Sequence, residues 1–293
     1  MSAAATPAKP PPSKDEILQK ALRRAAGGGA AGACAMFLNV GSLIWLRCTV
    51  NYQYRHGTST MVAFRTLYKD GGIRRFYRGV GPALIQGPLS RFGDTAANSG
   101  VLALLENSAA TKNLPVGVKT LGASGAAAMW RIFLMPVDTT KTIMQVEGKH
   151  GFSYLKSKVK ANGPSVLYHG ALGAAGATFV GHYPWFMTFN YLQATIPKPE
   201  ETLPKLARNA FIGFCSSVVS DTCSNSIRVM KVYKQTHTES VTYLQAAKSV
   251  IETDGLIGLF GRGLQTKILA NGLQGLMFSV LWKAIEEQFN KNV

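Results

Sequence analysis

The sequence is short of charge, and shortest of negative charge. Asp, Glu, Lys and Arg make up 16% of its 293 residues, against about 25% in ordinary soluble domains. Within that small share, 15 acidic residues stand against 32 basic ones, a formal net charge of +17. Cysteine is scarce too. Cys34, Cys48, Cys215 and Cys223 form no CxxC pair and have no nearby His, which excludes a zinc site or a disulfide framework; each is expected to be a small buried residue. There is no Ser-His-Asp spacing, P-loop, metal cluster or EF-hand loop, so no catalytic residue, cofactor or metal is expected. Nor is there a basic run with interleaved aromatics in a soluble-looking segment, so no nucleic-acid partner is expected. The positive excess is left for an anionic membrane surface or an anionic solute. Residues 1–19 are expected to form a disordered tail, rich in Ala, Pro and Ser as far as Lys14. They lack a charged segment followed by an apolar one, and they lack Arg, so an import signal is expected to be internal.

What is plentiful is apolar and small. Hydrophobic residues reach 46%, with 30 glycines, a pairing suited to helices packed closely in lipid. The mean hydropathy of only +0.06 implies that such helices surround something polar. Ala25 to Leu46 contains no charged residue, and Ala171 to Pro197 has no formal charge; both are long enough to cross a bilayer.

Self-comparison organises the rest. Tyr77-Arg78-Gly79, Tyr168-His169-Gly170 and Gly261-Arg262-Gly263 lie 91 and 93 residues apart. Each follows a Gly-containing bend: Asp70-Gly71-Gly72, Asn162-Gly163-Pro164 and Asp254-Gly255. Upstream, Trp45-Leu46-Arg47, Pro136-Val137-Asp138 and Ser226-Ile227-Arg228 are spaced by 91 and 90 residues. Three units follow, at 20–112, 113–200 and 201–293, forming one domain. Each reads as a long apolar stretch, a short amphipathic segment (Ser59–Lys69, Tyr154–Ala161, Thr242–Thr253) and a second long stretch. Six spanning segments are expected.

Pro136-Val137-Asp138-Thr139-Thr140-Lys141 with Gln145, together with Asp70-Gly71 before Phe76-Tyr77-Arg78-Gly79 and Asp254-Gly255 before Leu259-Phe260-Gly261-Arg262-Gly263, resembles the signature of the mitochondrial carrier family. The resemblance implies an all-α membrane protein: six transmembrane helices in three tandem repeats, a pseudo-threefold barrel around a cavity, with short amphipathic helices on the matrix side. It implies odd helices kinked at the proline position and an ion-pair gate on the matrix side. It further implies exchange of small solutes across the inner mitochondrial membrane by alternating access, cardiolipin as a lipid partner, and a monomer.

The sequence departs from the family pattern at both gates. The matrix-gate positions carry Arg47 and Val50, then Asp138 and Lys141, then Arg228 and Lys231, with Gln145 and Gln235 in the glutamine places. Only Asp138 with Lys231 is left as a family-type pair, and a mouth holding Arg47, Lys141, Arg228 and Lys231 against one Asp is expected to be strongly positive. The cytosolic-gate positions are Ser99 and Leu102, Asn190 and Gln193, Lys283 and Glu286. Two readings follow: a carrier with a distinct gate for a small anionic metabolite, or a transport-inactive carrier fold serving as scaffold or subunit of a membrane complex. A protein that mainly engages anionic lipid is a third, resting on charge alone.

Seven residues return a helix to nearly the same face. Arg131 lies seven before Asp138 and Asp221 seven before Arg228, so both are expected to face the cavity and to approach one another, as a latch or as an inert structural pair. Arg91 and His182 each lie twelve past their repeat's Gly. Arg91 suits a carboxylate or phosphate, unless Asp94 neutralises it; His182 is either a pH sensor or a satisfied buried histidine. The family's contact positions fall on Gln86, Thr178 and Asn271, which offer hydrogen bonds without charge. Tyr183-Pro184-Trp185 is expected to face lipid.

Overall fold

The computed structural model describes residues 14–107, 111 and 113–291, with side chains for most residues between 36 and 277. Among the described residues all regular structure is helical. The first repeat is α1 (Lys14–His56), α2 (Thr60–Phe76) and α3 (Val80–Asn107), so residues 14–19, expected in a disordered tail, are helical, while residues 1–13 of that expectation lie outside the described residues. The second is α4 (Val116–Phe133), α5 (Met135–Glu147), α6 (Gly151–Asn162) and α7 (Ala171–Thr195). The third is α8 (Thr202–Thr236), α9 (Tyr243–Gly261) and α10 (Leu264–Lys291). Repeats one and three are thus a long helix, a short one and another long one; in repeat two the first long helix is divided into α4 and α5.

The split between α4 and α5 has one cause. Pro136 has no N–H and disfavours helical geometry just before it, and the two helices meet at Leu134, with φ and ψ of −81° and −1°. The expectation of a kink in every odd helix fails for α1 and α8, which run unbroken through Trp45 and Ser226. Without proline there is nothing to force the bend.

The long helices pack in a closed ring: α1 on α3, α3 on α4, α4 on α7, α7 on α8, α8 on α10, and α10 back on α1. Small residues permit the close seams. A Cβ on Gly93 would stand 1.8 Å from the Trp130 ring, and one on Gly87 2.7 Å from Val40. The C-terminal ends of α1, α5 and α8 converge at one end of the ring. There Val50, Tyr54, Val146, Val229, Val232, Val250 and Leu259 form an apolar plug.

A single cyclic contact pattern ties the repeats together at that end. Gly79, Gly170 and Gly263 turn the chain into α3, α7 and α10 with φ of 77°, 94° and 65°, a region favouring glycine. Each presses on the next repeat's odd helix: Gly79 on the Lys141 carbonyl (3.0 Å from a built Cβ), Gly170 on Gln235 (3.0 Å) and Gly263 on the Tyr54 ring (3.0 Å). Beside each glycine a buried cation caps carbonyls at the end of that same helix. Arg75 donates to the carbonyls of Gln145 (2.9 Å) and Val146 (2.7 Å) while Asp70 holds its Nε at 2.5 Å. Lys158 donates to those of Gln235 (3.2 Å) and His237. Arg262 donates to those of Tyr54 (3.5 Å) and Arg55 (3.4 Å), with Asp254 2.7 Å from its Nε. Helix C-termini present orphan carbonyls and a partial negative charge, and these cations satisfy both.

Among the described residues no helix is long and apolar enough to cross a membrane by its hydropathy. The long helices nonetheless expose large apolar side chains outward, among them Met129 at 73%, Phe133 at 68% and Leu172 at 73%. Of the four cysteines expected to be buried, Cys48 is, but Cys215 is half-buried and Cys223 exposed, because α8 turns them away from its inner face; the side chain of Cys34 lies outside the described residues.

Candidate functional site

The ring encloses a cavity of about 430 Å³, within the range of small-molecule sites. Its floor is the convergence of α1, α5 and α8. Asp138 is buried there, with Lys141 Nζ 2.7 Å from Oδ1 and Lys231 Nζ 2.5 Å from Oδ2. Gln235 Nε2 donates to Thr139 Oγ1 (3.0 Å) and reaches Asp138 Oδ2 at 3.4 Å. The other two seams of the floor are neutral. Asn51 donates to Gln145 Oε1 at 2.5 Å between α1 and α5, and Tyr54 donates to Asn225 Oδ1 at 3.0 Å between α1 and α8. Lys141 also donates to Gln86 Oε1 at 2.9 Å, linking the floor to the α3 wall.

The walls carry two further ionic groups. On one side Arg131 Nη2 lies 2.5 Å from Asp94 Oδ2. On the other, Asp221 receives Asn271 Nδ2 at 2.5 Å, Lys267 Nζ at 3.1 Å and Arg228 Nη2 at 3.7 Å. The expected approach of Arg131 to Asp221 is therefore replaced by two separate clusters. Asp94 on α3 sits next to α4 in the ring, and Lys267 on α10 sits next to α8, so each charge finds a partner on its neighbouring helix before it can reach across the cavity. Asp94 does not neutralise Arg91 either: Arg91 lines the cavity and forms no ion pair among the described residues.

Of the other residues singled out in the sequence, Gln86, Thr178 and Asn271 line the cavity. Thr178 turns its hydroxyl onto the Ala174 carbonyl at 2.9 Å. His182 does not line it. Its Nδ1 lies 3.2 Å from Ser124 Oγ in the seam between α4 and α7, a satisfied histidine. Trp185, expected in lipid, lines the cavity instead and stacks on Phe189 with centroids 4.9 Å apart, while Tyr183 is exposed. Asn190 is exposed and outside the cavity, and Gln193 is occupied by Arg208, whose Nη1 is 2.6 Å from Gln193 Oε1. The side chains of Ser99, Lys283 and Glu286 lie outside the described residues.

Sequence reasoning missed Lys267 and the neutral floor residues Asn51, Tyr54 and Asn225. Lys267 had a signal: it is a lone cation in an apolar stretch, one turn before Asn271 and so on the same face. The neutral trio had none, since Asn and Tyr at those spacings carry no charge pattern. Outside the long helices, burial together with the charges of Arg55 and Lys234 pushes the Lys158 ammonium down to about 8, with Glu147 opposing. Among the described residues no cluster of His, Cys, Asp or Glu could hold a metal ion.

Among curated proteins nothing matches the chain closely enough to rank as a relative. The family model for mitochondrial carrier protein matches it three times in tandem, over residues 19–107, 112–200 and 203–293. Those matches take in nearly all of the chain and fall on its three helical repeats, and on that ground the chain belongs to the mitochondrial carrier family, whose members are transporters of metabolites across the inner mitochondrial membrane and not enzymes.

Proposed function

We propose that the chain lies as a monomeric six-span bundle in the inner mitochondrial membrane and moves a small anionic metabolite across it by alternating access, with the floor of the cavity toward the matrix. The observation that carries this reading is the charge inside the ring. Seven cations line the cavity, Arg47, Arg91, Arg131, Lys141, Arg228, Lys231 and Lys267, against three carboxylates, Asp94, Asp138 and Asp221. Charges within a membrane protein are costly and are kept where they serve a solute path. The inward polar faces also lower the hydropathy of helices whose outward faces are apolar. The Asp138–Lys231 contact between α5 and α8 supplies a floor that can open, because ion pairs make and break as units and let bound solute shift the balance between two states. Anionic lipid such as cardiolipin would sit beside the basic short helices.

A second reading has its own observation. Two of the three floor seams, Asn51–Gln145 and Tyr54–Asn225, are closed by neutral hydrogen bonds, which fits a carrier fold retained as scaffold or complex subunit. Exchange in liposomes across a panel of carboxylates and phosphates separates the two. Uptake of at least one anion, lost in Arg91→Ala or Arg131→Ala, is the expected result. No uptake, with the native protein held in a large complex at fixed stoichiometry, would establish the scaffold.

A further inference from the structure

Two arginines at gate positions have left the gate. Arg47 and Arg228 hold the places in repeats one and three that Asp138 holds in repeat two. Neither guanidinium lies on the floor. Arg47 folds back two helical turns to donate to Asn39 Oδ1, with Met36 Sδ 4.0 Å from Nη2. Arg228 folds back one turn onto Ser224 Oγ at 3.2 Å and onward to Asp221. The floor already holds Lys141 and Lys231 around one carboxylate, so further cations there are repelled. Helical side chains lean toward the N-terminus of their helix, and for α1 and α8 that direction leads up into the cavity. Lys267 joins them from α10, and all three line the same cavity.

We propose that Arg47, Arg228 and Lys267 form a binding site for a solute carrying two or more negative charges, a dicarboxylate or a phosphate ester, with Arg47 setting the preference for charge number. This rests on the reading of the chain as a solute carrier. Asp94 offsets one cation, whereas Asp138 and Asp221 are each shared by two. Among the described residues Arg47 meets a neutral amide and a thioether, and neither it nor Arg91 has a carboxylate partner there. Seven cations against three carboxylates leave an excess of four. A monoanion removes one part of that excess and a zwitterion removes none, while a dianion removes two and can occupy two guanidinium forks at once. An arginine placed for structure would gain from a carboxylate; the one at position 47 keeps its charge toward the cavity with no counter-charge among the described residues.

The test is thermal unfolding of the full chain in detergent, titrated with succinate, its monoamide, inorganic phosphate and glycerol 3-phosphate. A ligand of the folded form raises the melting temperature by mass action. For the wild type a dianion is expected to raise it and the monoamide to do far less; comparison of succinate with the phosphates assigns carboxylate or phosphoryl chemistry. Arg47→Gln is expected to weaken the dianion by about tenfold or more, the scale of one charge-assisted contact, and to flatten the dianion-to-monoamide preference, with Arg47→Lys in between. Because the change removes a repelled cation, empty Arg47→Gln should melt no lower than wild type. An unchanged dianion affinity and preference in Arg47→Gln would overturn the proposal, as would a variant that melts lower when empty. Should Arg47→Gln not fold, Arg228→Gln is read by the same affinity and preference criteria. A wild type shifted equally by the monoamide would sink the charge-number claim and leave the carrier reading standing. A wild type shifted by nothing, and idle in liposomes, would remove both.

Discussion

Asp138 holds two lysines with one carboxylate, and that determines what its loss does. Its two oxygens meet Lys141 at 2.7 Å and Lys231 at 2.5 Å, with all three side chains largely buried. Removing one member of a buried ionic group leaves uncompensated charge and costs about 3–5 kcal/mol. Asp138→Ala is accordingly expected to lower the melting temperature more than any other single change on the floor, and an unchanged melting temperature would contradict the pairing. The partner of Lys231 was readable from the family pattern; the additional role of Lys141 was not, because it turns along its own helix to the residue three before it. Arg131 teaches the complementary lesson. A seven-residue spacing assigns a helix face but neither the depth of a side chain nor the helix across from it. The pairing of Arg131 with Asp94 depends on α3 neighbouring α4 in the ring. Charge reversal at both sites, Asp94→Arg with Arg131→Asp, should recover stability relative to either single reversal, with a coupling on the order of 0.5–3 kcal/mol. The same cycle drawn between Arg131 and Asp221 should show less coupling.

At the scale of elements, the three short helices fell where the amphipathic segments lay in the sequence; Gly163 marks the end of α6, while Gly71, Gly72 and Gly255 bend α2 and α9 within their length. The glycine corners were visible as repeated tripeptides, but their contact with the next repeat was not, since a tripeptide says nothing of what faces it. Gly170→Ala would put a methyl on a residue at φ 94° and 3.0 Å from Gln235. Left-handed backbone costs an L-residue about 1–2 kcal/mol before any clash is counted, so thermal or chemical unfolding should show at least that loss. Lys158, on α6, gives a pH signature. Burial, reinforced by Arg55 and Lys234, puts its ammonium near 8, below the ordinary lysine value of 10.5. Between those values the unfolded chain binds the proton and the folded chain does not, so this group makes stability rise with pH from about 8 to 10.5 and contributes no slope below or above. Its amine still donates to the carbonyls of Gln235 and His237 when neutral. Replacing it in Lys158→Gln should remove that rising slope from the stability–pH curve of the purified protein; a slope of the same size in the variant would assign it elsewhere.

For the molecule as a whole, repeat period and charge deficit together led to a ring, but not to how the ring is closed. Two of its inter-repeat contacts join consecutive repeats; the third joins α9 and α10 to α1, across almost the full length of the chain. That third contact rests on Arg262, which is 6% exposed and donates to the carbonyls of Tyr54 and Arg55, while Asp254 fixes its other edge. Gly263 packs against Tyr54 beside it, and Thr60 Oγ1 and Thr266 Oγ1 lie 2.8 Å apart nearby. Arg75→Ala and Arg262→Ala each remove one buried cation from a helix end and leave carbonyls unsatisfied, a loss of about 1–3 kcal/mol for each group stranded. The two differ in what the chain does next. When Arg75 goes, the short link from repeat one to repeat two still holds α3 near α4. When Arg262 goes, side-chain packing and the Tyr54–Asn225 and Thr60–Thr266 hydrogen bonds are left to hold the last repeat on the first, and contacts so distant in sequence carry the larger closure entropy. Arg262→Ala is therefore expected to lower the melting temperature more than Arg75→Ala and to make proteolysis near α1 and α9 faster in the folded state. Equal losses, with no added cleavage at either helix, would mean that the ring is held by its apolar seams and that the Arg262 contact is a passenger.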